Sequence, residues 1–204
     1  MAVSRQRRVT LASVDSNERL REILDQSAKL FDQRGYDRVS VEDIASASGI
    51  RKATLYHYVR SKDDILVLLH QEFMHLVLDA AEAESRQQLD PRSQLVSVMI
   101  DILALMKTHR GHVRVFFEHH RDLPTQARKG IRADRDRYEK IVEAIIARGI
   151  STGQFRQVDV RLSTLGIFGM CNWAYQWYKP SGPMSPEVIA RFFASCIVDG
   201  IGKR

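Results

Sequence analysis

The sequence predicts an all-α protein of about nine helices, with a three-helix head followed by a larger helical bundle. Apolar residues recur at helical spacing along almost the whole chain, and no stretch shows the alternation of a half-buried strand. Serine or proline stands where several helices would begin, and glycine follows where others would end. No internal repeat or low-complexity tract interrupts this pattern.

The composition is that of an ordinary soluble protein. Its 204 residues suffice for one or two domains with a real core, and they are 44% hydrophobic and 27% charged. No run approaches the ~18 apolar residues of a membrane span, and no apolar signal region follows the N-terminal arginines. Cys171 and Cys196 each lie in apolar sequence, so we expect reduced thiols in a cytoplasmic protein that does not contact membranes.

The most informative segment predicts two short helices joined by a glycine turn. Ser40 is a good N-cap, and the carboxylate of Asp43 stands where it can complete a capping box. Gly49 follows the first helix, where a left-handed backbone conformation is needed. Ile50 and Leu55 supply the buried side of the second helix. The segment is therefore predicted to be a helix-turn-helix, whose second helix enters the major groove of DNA.

The charge distribution favours the same interpretation. The span from Arg51 to Lys62 holds four basic residues and no acidic one. Residues 1–62 carry 12 basic and 8 acidic side chains, whereas the remaining 142 residues carry 19 and 17. An excess of positive charge in the head suits neutralisation of phosphates. A solvated basic helix face is the alternative, but the capped helix pair beside it favours DNA binding.

The head and the start of the next helix resemble the tetracycline-repressor (TetR) family of bacterial regulators over about residues 17–70. The resemblance implies a homodimeric, all-helical repressor that binds a palindromic double-stranded DNA operator and leaves it when a small molecule fills the larger domain. The matching residues are Ile23, Ala28, Leu30-Phe31, Gly35-Tyr36, Ile44-Ala45, Gly49-Ile50, Thr54-Leu55-Tyr56-His57-Tyr58-Val59 and Ser61-Lys62-Asp63-Asp64-Ile65-Leu66.

The resemblance assigns roles in DNA binding to residues of both helices. Residues at the start of the first helix approach a phosphate, those that open the second touch base edges, and the remainder position that helix or neutralise the backbone. Val41 lacks the hydroxyl often found at its position, which weakens the phosphate contact expected there. The candidate DNA-binding residues are Ser40, Val41, Arg51, Lys52, Ala53, Thr54, Tyr56, His57 and Lys62.

We divide the chain into a flexible basic tail over residues 1–16, a helix-turn-helix domain over residues 17–62, and a ligand-binding and dimerisation domain over residues 63–204. The tail contains Arg5, Arg7 and Arg8 and has no helical pattern. These arginines form either an arm that reaches the minor groove or a disordered tail with incidental charge.

The body is predicted to contain a long first helix and several shorter ones. The first runs from about Lys62 to Arg86, with Ser61 as its N-cap, and would link head and body rigidly. Pro91 begins a second helix that ends near Gly111. The remaining predicted helices cover about 113–121, then from after Pro124 to Gly149, 160–178, and from Ser185 or Pro186 to the C-terminal region.

The helix over 160–178 is apolar on more than one face. Such a helix needs two burial partners, which here would be the subunit's own core and a second subunit. In the resembled family the last two helices of each subunit form a four-helix dimer interface; a plain hydrophobic core is the alternative. The candidate interface residues are Trp177, Ile189, Phe192, Phe193 and Ile197.

Aromatic residues of the body could line an apolar cavity for a small hydrophobic ligand, although core packing is the alternative for each. Residues 153–200 also resemble TetR regulators of sterol and fatty-acid catabolism in actinobacteria, several of which respond to CoA thioesters. The matching residues are Gly153-Gln154-Phe155-Arg156, Asn172-Trp173, Gln176-Trp177-Tyr178-Lys179-Pro180 and Gly182-Pro183-Met184-Ser185. The candidate ligand-binding residues are Phe116, Phe117, His120, Tyr138, Phe168, Asn172, Trp173 and Tyr175.

If that second resemblance holds, a basic cluster in the body has a role, because coenzyme A carries several phosphates. Otherwise its members are surface charges. The cluster comprises Arg114, Arg121, Arg128, Lys129 and Arg132.

Other chemistry has little support in the sequence. The seven histidines come without a cysteine or carboxylate set at the spacing of metal ligands, so we expect no metal and no cofactor. No phosphate-binding glycine loop or nucleophile motif is present, and we expect no enzyme activity. Two further functions stay open: a drug-responsive repressor of an efflux pump, and an architectural DNA-binding protein without sequence specificity.

Overall fold

The computed structural model describes residues 11–86 and 89–201, and this part of the chain forms nine α-helices without a strand. The all-α prediction is confirmed. The helices are α1 (Leu11–Arg34), α2 (Val41–Ala47), α3 (Lys52–Leu55), α4 (Lys62–Arg86), α5 (Pro91–Thr108), α6 (Arg110–Glu118), α7 (Thr125–Ser151), α8 (Val160–Trp177) and α9 (Pro186–Ile201).

The first helix begins earlier than predicted. Residues 11–16, assigned from sequence to a flexible tail, form the first turns of α1. They contain no proline or glycine, so nothing in the chain stops the helix from extending in the N-terminal direction. The three arginines expected to form an arm or a disordered tail lie outside the described residues.

The head is held together by a small apolar core. Ile23 and Phe31 of α1 pack with Ile44 of α2 and Leu55 of α3, and all four side chains are buried. Gly49 has φ +65°, the left-handed conformation predicted for the turn between α2 and α3. This core fixes the orientation of α3 relative to α1 and α2.

The observed bounds of the body helices agree with the predicted bounds where a capping residue marks the helix end, and they differ by a few residues elsewhere. Helix α4 has the predicted bounds, and the Ser61 hydroxyl accepts a hydrogen bond from the Asp64 amide at 3.1 Å. Helix α6 begins three residues before its predicted start. His109 both ends α5 and precedes α6, so a single residue separates the two helices, and the break lies earlier than the position near Gly111 that the sequence predicted.

Helix α5 lies at the centre of the body, where it packs against α4, α6, α7, α8 and α9. Helices α1 and α4 connect the head to the body, and both contact α6. At the α1–α6 contact the helices approach so closely that a Cβ on Gly111 would lie 2.7 Å from the carbonyl oxygen of Ala28. None of the described helices is long and apolar enough to cross a membrane.

Candidate DNA-binding surface and effector cavity

The predicted recognition helix is a short, solvent-facing element. Helix α3 has four residues, Arg51 is its N-cap, and turn hydrogen bonds extend it to Tyr58 and Val59. Leu55 and Val59 are buried beneath it, as expected. Of the candidate DNA-binding residues, Ser40, Arg51, Lys52, Ala53, Tyr56 and His57 are exposed, and Val41, Thr54 and Lys62 are half-buried.

The start of α2 has the predicted capping box. The Ser40 hydroxyl accepts from the Asp43 amide at 3.1 Å and donates to the Asp43 carboxylate at 2.6 Å. Donation to the Asp43 carboxylate by the Ser40 hydroxyl, and by the Ser40 amide at 2.8 Å, holds the pKa of Asp43 below its usual range. Because the Ser40 hydroxyl proton is already shared with Asp43, the free donors at this helix end are backbone amides.

Lys52 makes a contact that the sequence did not suggest. Its ammonium forms an exposed ion pair with the carboxylate of Glu42, one helix earlier. Hydrogen bonding between them raises the pKa of Lys52 and lowers that of Glu42. Contact of Lys52 with a base or phosphate would require its ammonium to leave Glu42.

The Lys62 side chain contacts Tyr36, in the segment that follows α1, instead of extending into solvent. Its ammonium donates to the Tyr36 carbonyl at 3.0 Å and lies 4.1 Å from the centre of the Tyr36 ring. The Tyr36 hydroxyl in turn donates to Asp63 at 2.5 Å. A contact of Lys62 with a DNA phosphate would have to replace its contacts with Tyr36, and that contact stays a prediction.

The body contains an apolar cavity of about 110 Å³ between α4, α5, α6, α7 and α8. Helix α4 contributes Phe73, Met74 and Val77 from one face, and Arg135 and Glu139 of α7 supply charged groups. Tyr138 stacks on Phe168 with ring centres 5.1 Å apart, and burial raises its pKa. The candidate ligand-binding residues at this cavity are Phe116, Phe117, Tyr138, Phe168 and Asn172.

A second, basic cavity of about 410 Å³ adjoins the first. The two share lining residues Phe116, Arg135, Glu139 and Leu165. Its basic side chains are Arg128, Arg132, Arg135 and Arg161, and His70 and His120 also line it. Asp136 and Glu139 also line this second cavity, so four arginines face two carboxylates there. Together the two cavities provide an apolar compartment with a mouth in which positive charge is in excess.

The basic cluster predicted from sequence is only partly brought together at this mouth. Arg128 and Arg132 line it, whereas Arg114 faces the head and pairs with Asp32 at 3.0 Å and Glu118 at 3.0 Å. Sequence reasoning missed Arg135 and Arg161, which come from different helices and are united only by the fold. Among the described residues no group of three or more potential metal ligands occurs.

Two family models match the chain. Residues 23–69 match the model described as bacterial regulatory proteins of the tetR family, and residues 88–201 match the tetracycline-repressor-like C-terminal domain. The chain belongs to the TetR family. This membership makes it a transcription regulator with an N-terminal DNA-binding domain.

Relatives cover nearly the whole TetR-family chain. The HTH-type transcriptional repressor KstR2 of Mycobacterium tuberculosis is 27% identical over 193 residues, which are 92% of this chain and 94% of KstR2. The crystal structure of PfmR from Thermus thermophilus is 33% identical, with a TM-score of 0.83 over 89% of this chain and 99% of PfmR.

A third relative, AibR, was solved in complex with isovaleryl coenzyme A and operator DNA. It is 27% identical, with a TM-score of 0.79 over 88% of this chain and 98% of AibR.

The last two helices of this TetR-family protein carry an exposed apolar face. Trp177 is 40% and Phe192 63% exposed, while Phe193 and Ile197 are half-buried behind them. Ile189 is 4% exposed and packs into the subunit core, so we reassign it from the interface to the core. The helical register turns Val188 and Phe192 outwards and Ile189 inwards. The other exposed apolar residues of these helices are Leu162, Leu165, Trp173 and Val188, and Met184 is exposed in the segment between them.

Two of the aromatic residues predicted to bind ligand lie away from the cavity, and the two cysteines differ in burial. Trp173 is 62% exposed and does not line the cavity, so we reassign it to the exposed apolar face. Tyr175 lies behind the cavity wall and stacks on Phe117 at 5.3 Å. Burial raises the pKa of the Cys171 thiol to about 12, whereas Cys196 is exposed on α9 beside that face.

Proposed function

We propose that this TetR-family protein is a transcriptional repressor that binds a palindromic operator as a homodimer and is released by an acyl-CoA or another CoA thioester. The observation that carries the ligand assignment is the apolar cavity with an arginine-lined mouth. An acyl chain matches the first compartment, and the phosphates of coenzyme A match the second. The AibR complex with isovaleryl coenzyme A supports this ligand class.

On the DNA side, the proposal uses the exposed face of α3. Arg51 and Lys52 would contact base edges and Ala53 a thymine methyl, while Tyr56 and His57 orient the helix on the backbone. In a symmetric dimer the two α3 helices would occupy successive major grooves about 34–36 Å apart. Such a protein acts in the cytoplasm, and we assign it no catalytic activity.

Helix α4 would couple ligand binding in the body to release of DNA by the head. One face of this helix places His70, Phe73 and Val77 at the cavities, and its first residue, Lys62, contacts the head. A ligand that favours one position of α4 would change the spacing of the two heads. The size of the response is set by the ligand's preference for one state over the other.

The ligand assignment is tested by comparing two basic residues of α7. Arg132 lines the basic cavity, whereas Lys129 is exposed and does not. We expect Arg132→Ala to weaken binding of a CoA thioester by about tenfold or more, because a charge-assisted hydrogen bond to phosphate is lost. Lys129→Ala should leave the Kd within about twofold. Calorimetric titration of both variants measures this.

Two DNA-binding experiments distinguish the proposed function from a drug-responsive regulator and from an architectural DNA-binding protein. Release of operator DNA by lipophilic drugs but by no CoA thioester, in gel shifts, would favour a regulator of an efflux pump. Selection from a random oligonucleotide pool decides whether a preferred operator exists. Recovery of no common sequence would favour an architectural protein.

A further inference from the structure

His70 is a fully buried histidine in the wall of the basic cavity. It lies on α4 with 0% of its surface exposed, and its ring packs against Phe116 with centres 5.3 Å apart. Its Nδ1 lies 2.8 Å from the Leu66 carbonyl oxygen, one turn earlier on the same helix. Because a carbonyl only accepts, Nδ1 must carry the proton.

The other ring nitrogen is therefore a hydrogen-bond acceptor. Nε2 is buried and has no hydrogen-bond partner among the described residues. The Phe116 carbonyl also faces the ring but does not reach hydrogen-bond geometry with Nε2. Since Nδ1 points back towards α4, Nε2 points away from that helix, and His70 is one of the residues that line the basic cavity. A buried acceptor of this kind is seldom left unpaired in a folded protein.

The environment keeps the ring neutral. Burial is the main cause that lowers the pKa of His70 to about 4, and the charges of His120 and His119 lower it further. The carbonyls of Leu66 and Phe116 act in the opposite direction without overcoming burial. At neutral pH His70 thus offers a lone pair rather than a positive charge, unlike the arginines around the same cavity.

The position of His70 defines which part of a ligand it would meet. Phe116, against which it packs, lines both the apolar and the basic cavity, so His70 stands near their junction. A thioester with its acyl chain in the first cavity and its phosphates in the second would place its sulfur near this junction. The nearest donors would be an amide N–H of the pantetheine arm or a hydroxyl on the acyl chain.

We propose that Nε2 of His70 accepts a hydrogen bond from an N–H or O–H group of the bound CoA thioester, close to its sulfur. This assignment rests on the proposed function and makes His70 a specificity-determining residue. A ligand without a donor at that position leaves a buried acceptor unpaired and binds more weakly.

Calorimetric titration of the full-length protein with butyryl-CoA and 3-hydroxybutyryl-CoA tests the proposal. We expect His70→Phe, which retains an aromatic ring but removes the acceptor, to weaken binding about tenfold. Equal loss for both ligands assigns the donor to the pantetheine amide; loss for the hydroxyacyl ester alone assigns it to the acyl hydroxyl. His70→Gln, whose side-chain oxygen can accept near the Nε2 position, should recover part of the affinity.

His75→Phe, at an exposed position of the same helix, is the matched control and should bind both esters like the wild type. Unchanged operator binding without ligand verifies that each variant is folded. Nitrogen NMR of the histidine-labelled wild type adds a measurement that needs no substitution: the Nε2 resonance of His70 should shift when either ester is added.

The assignment is overturned if His70→Phe binds both esters with wild-type affinity, or if the Nε2 resonance does not shift in the saturated complex. The proposed function stands in either case. If the wild-type protein binds neither ester, the proposed function fails and this assignment fails with it.

Discussion

At the scale of single residues, Gly49 shows how one backbone conformation orients α3, the predicted recognition helix. Its φ is +65°, and a Cβ at this position would meet no atom within 4 Å. A substitution therefore costs only the strain of a left-handed L-residue, about 1–2 kcal/mol. We expect Gly49→Ala to lower the free energy of unfolding by about 1 kcal/mol, measured by urea denaturation, and Gly49→Asn to cost less.

The control lies within a helix. Gly130 in α7 has equally open surroundings but an ordinary helical φ. There, Gly→Ala should stabilise by about 0.5–1 kcal/mol. Equal effects of the alanine at both positions would show that the backbone conformation of Gly49 is not the cause.

His70 predicts a pH dependence of stability with a definite sign. Its pKa is about 4 in the folded chain against 6.5 for an unperturbed histidine, so between these values the unfolded state binds a proton and the folded state does not. The free energy of unfolding should fall as pH drops from 6.5 to 4, by up to about 3 kcal/mol from this residue, and show no contribution above 6.5. In urea unfolding, His70→Phe should remove this part of the acid sensitivity. His75→Phe should retain it, and parallel curves for the wild type and His70→Phe would contradict it.

Sequence predicted those residues whose role is local. The Ser40–Asp43 capping box and the glycine turn at 49 depend on neighbours within a few positions, and both are present. His70 and Arg161 acquire their positions from packing between helices that are distant along the chain, so no local pattern marks them. Trp173 was assigned to the cavity because helical spacing identifies an apolar face without saying what that face contacts.

At the scale of helices, boundaries were predictable where a capping residue marks them. Helix α4 begins after its predicted N-cap, Ser61, and α5 begins at Pro91 as predicted. The N-cap of α5 is Asp90, which was not singled out from sequence and whose carboxylate accepts from the amides of Arg92 and Ser93. The break between α5 and α6 has no such signal, since neither capping position at His109 is filled by a side-chain hydrogen bond. Its location follows from the packing of α6 against α1 and α4.

The contact between α6 and α1 joins the body to the head at a position where the two backbones approach closely. A Cβ on Gly111 would come within 2.8 Å of two backbone atoms of Ala28, and backbone cannot move aside as a side-chain tip can. We expect Gly111→Ala to destabilise the protein by about 1–3 kcal/mol and, by displacing α1, to weaken operator binding in the absence of ligand. Thermal unfolding and gel shifts measure the two effects.

Gly149 provides the comparison. A Cβ there would meet the buried Phe155 ring at 2.1 Å, within the body and away from the head. Gly149→Ala should therefore reduce stability without changing operator affinity at a temperature where the protein is folded. If both variants weaken DNA binding equally, the α1–α6 contact has no special part in holding the head.

At the scale of the whole molecule, three surfaces of different chemical character lie on different helices. Basic residues are exposed on α3, arginines surround the cavity mouth, and large apolar side chains are exposed on α8 and α9. An exposed apolar patch of this kind is typical of an interface. If two subunits associate through this patch about a two-fold axis, as proposed, each substitution on it acts twice. The positions of the two heads would thus depend on a surface far from the DNA.

Phe192 is the most direct test of that dependence. It is 63% exposed on α9, so replacing it with aspartate should leave the fold of the single subunit intact. In a dimer, two carboxylates would be buried against apolar surface, at a cost of several kcal/mol. We expect Phe192→Asp to sediment as a monomer at micromolar concentration and to bind a palindromic operator at least about tenfold more weakly, since one head alone reads one half-site. Leu89→Asp changes another exposed apolar residue, 38% exposed and outside α8 and α9, and should remain dimeric. A dimeric Phe192→Asp with full operator affinity would mean that the subunits associate through a different surface.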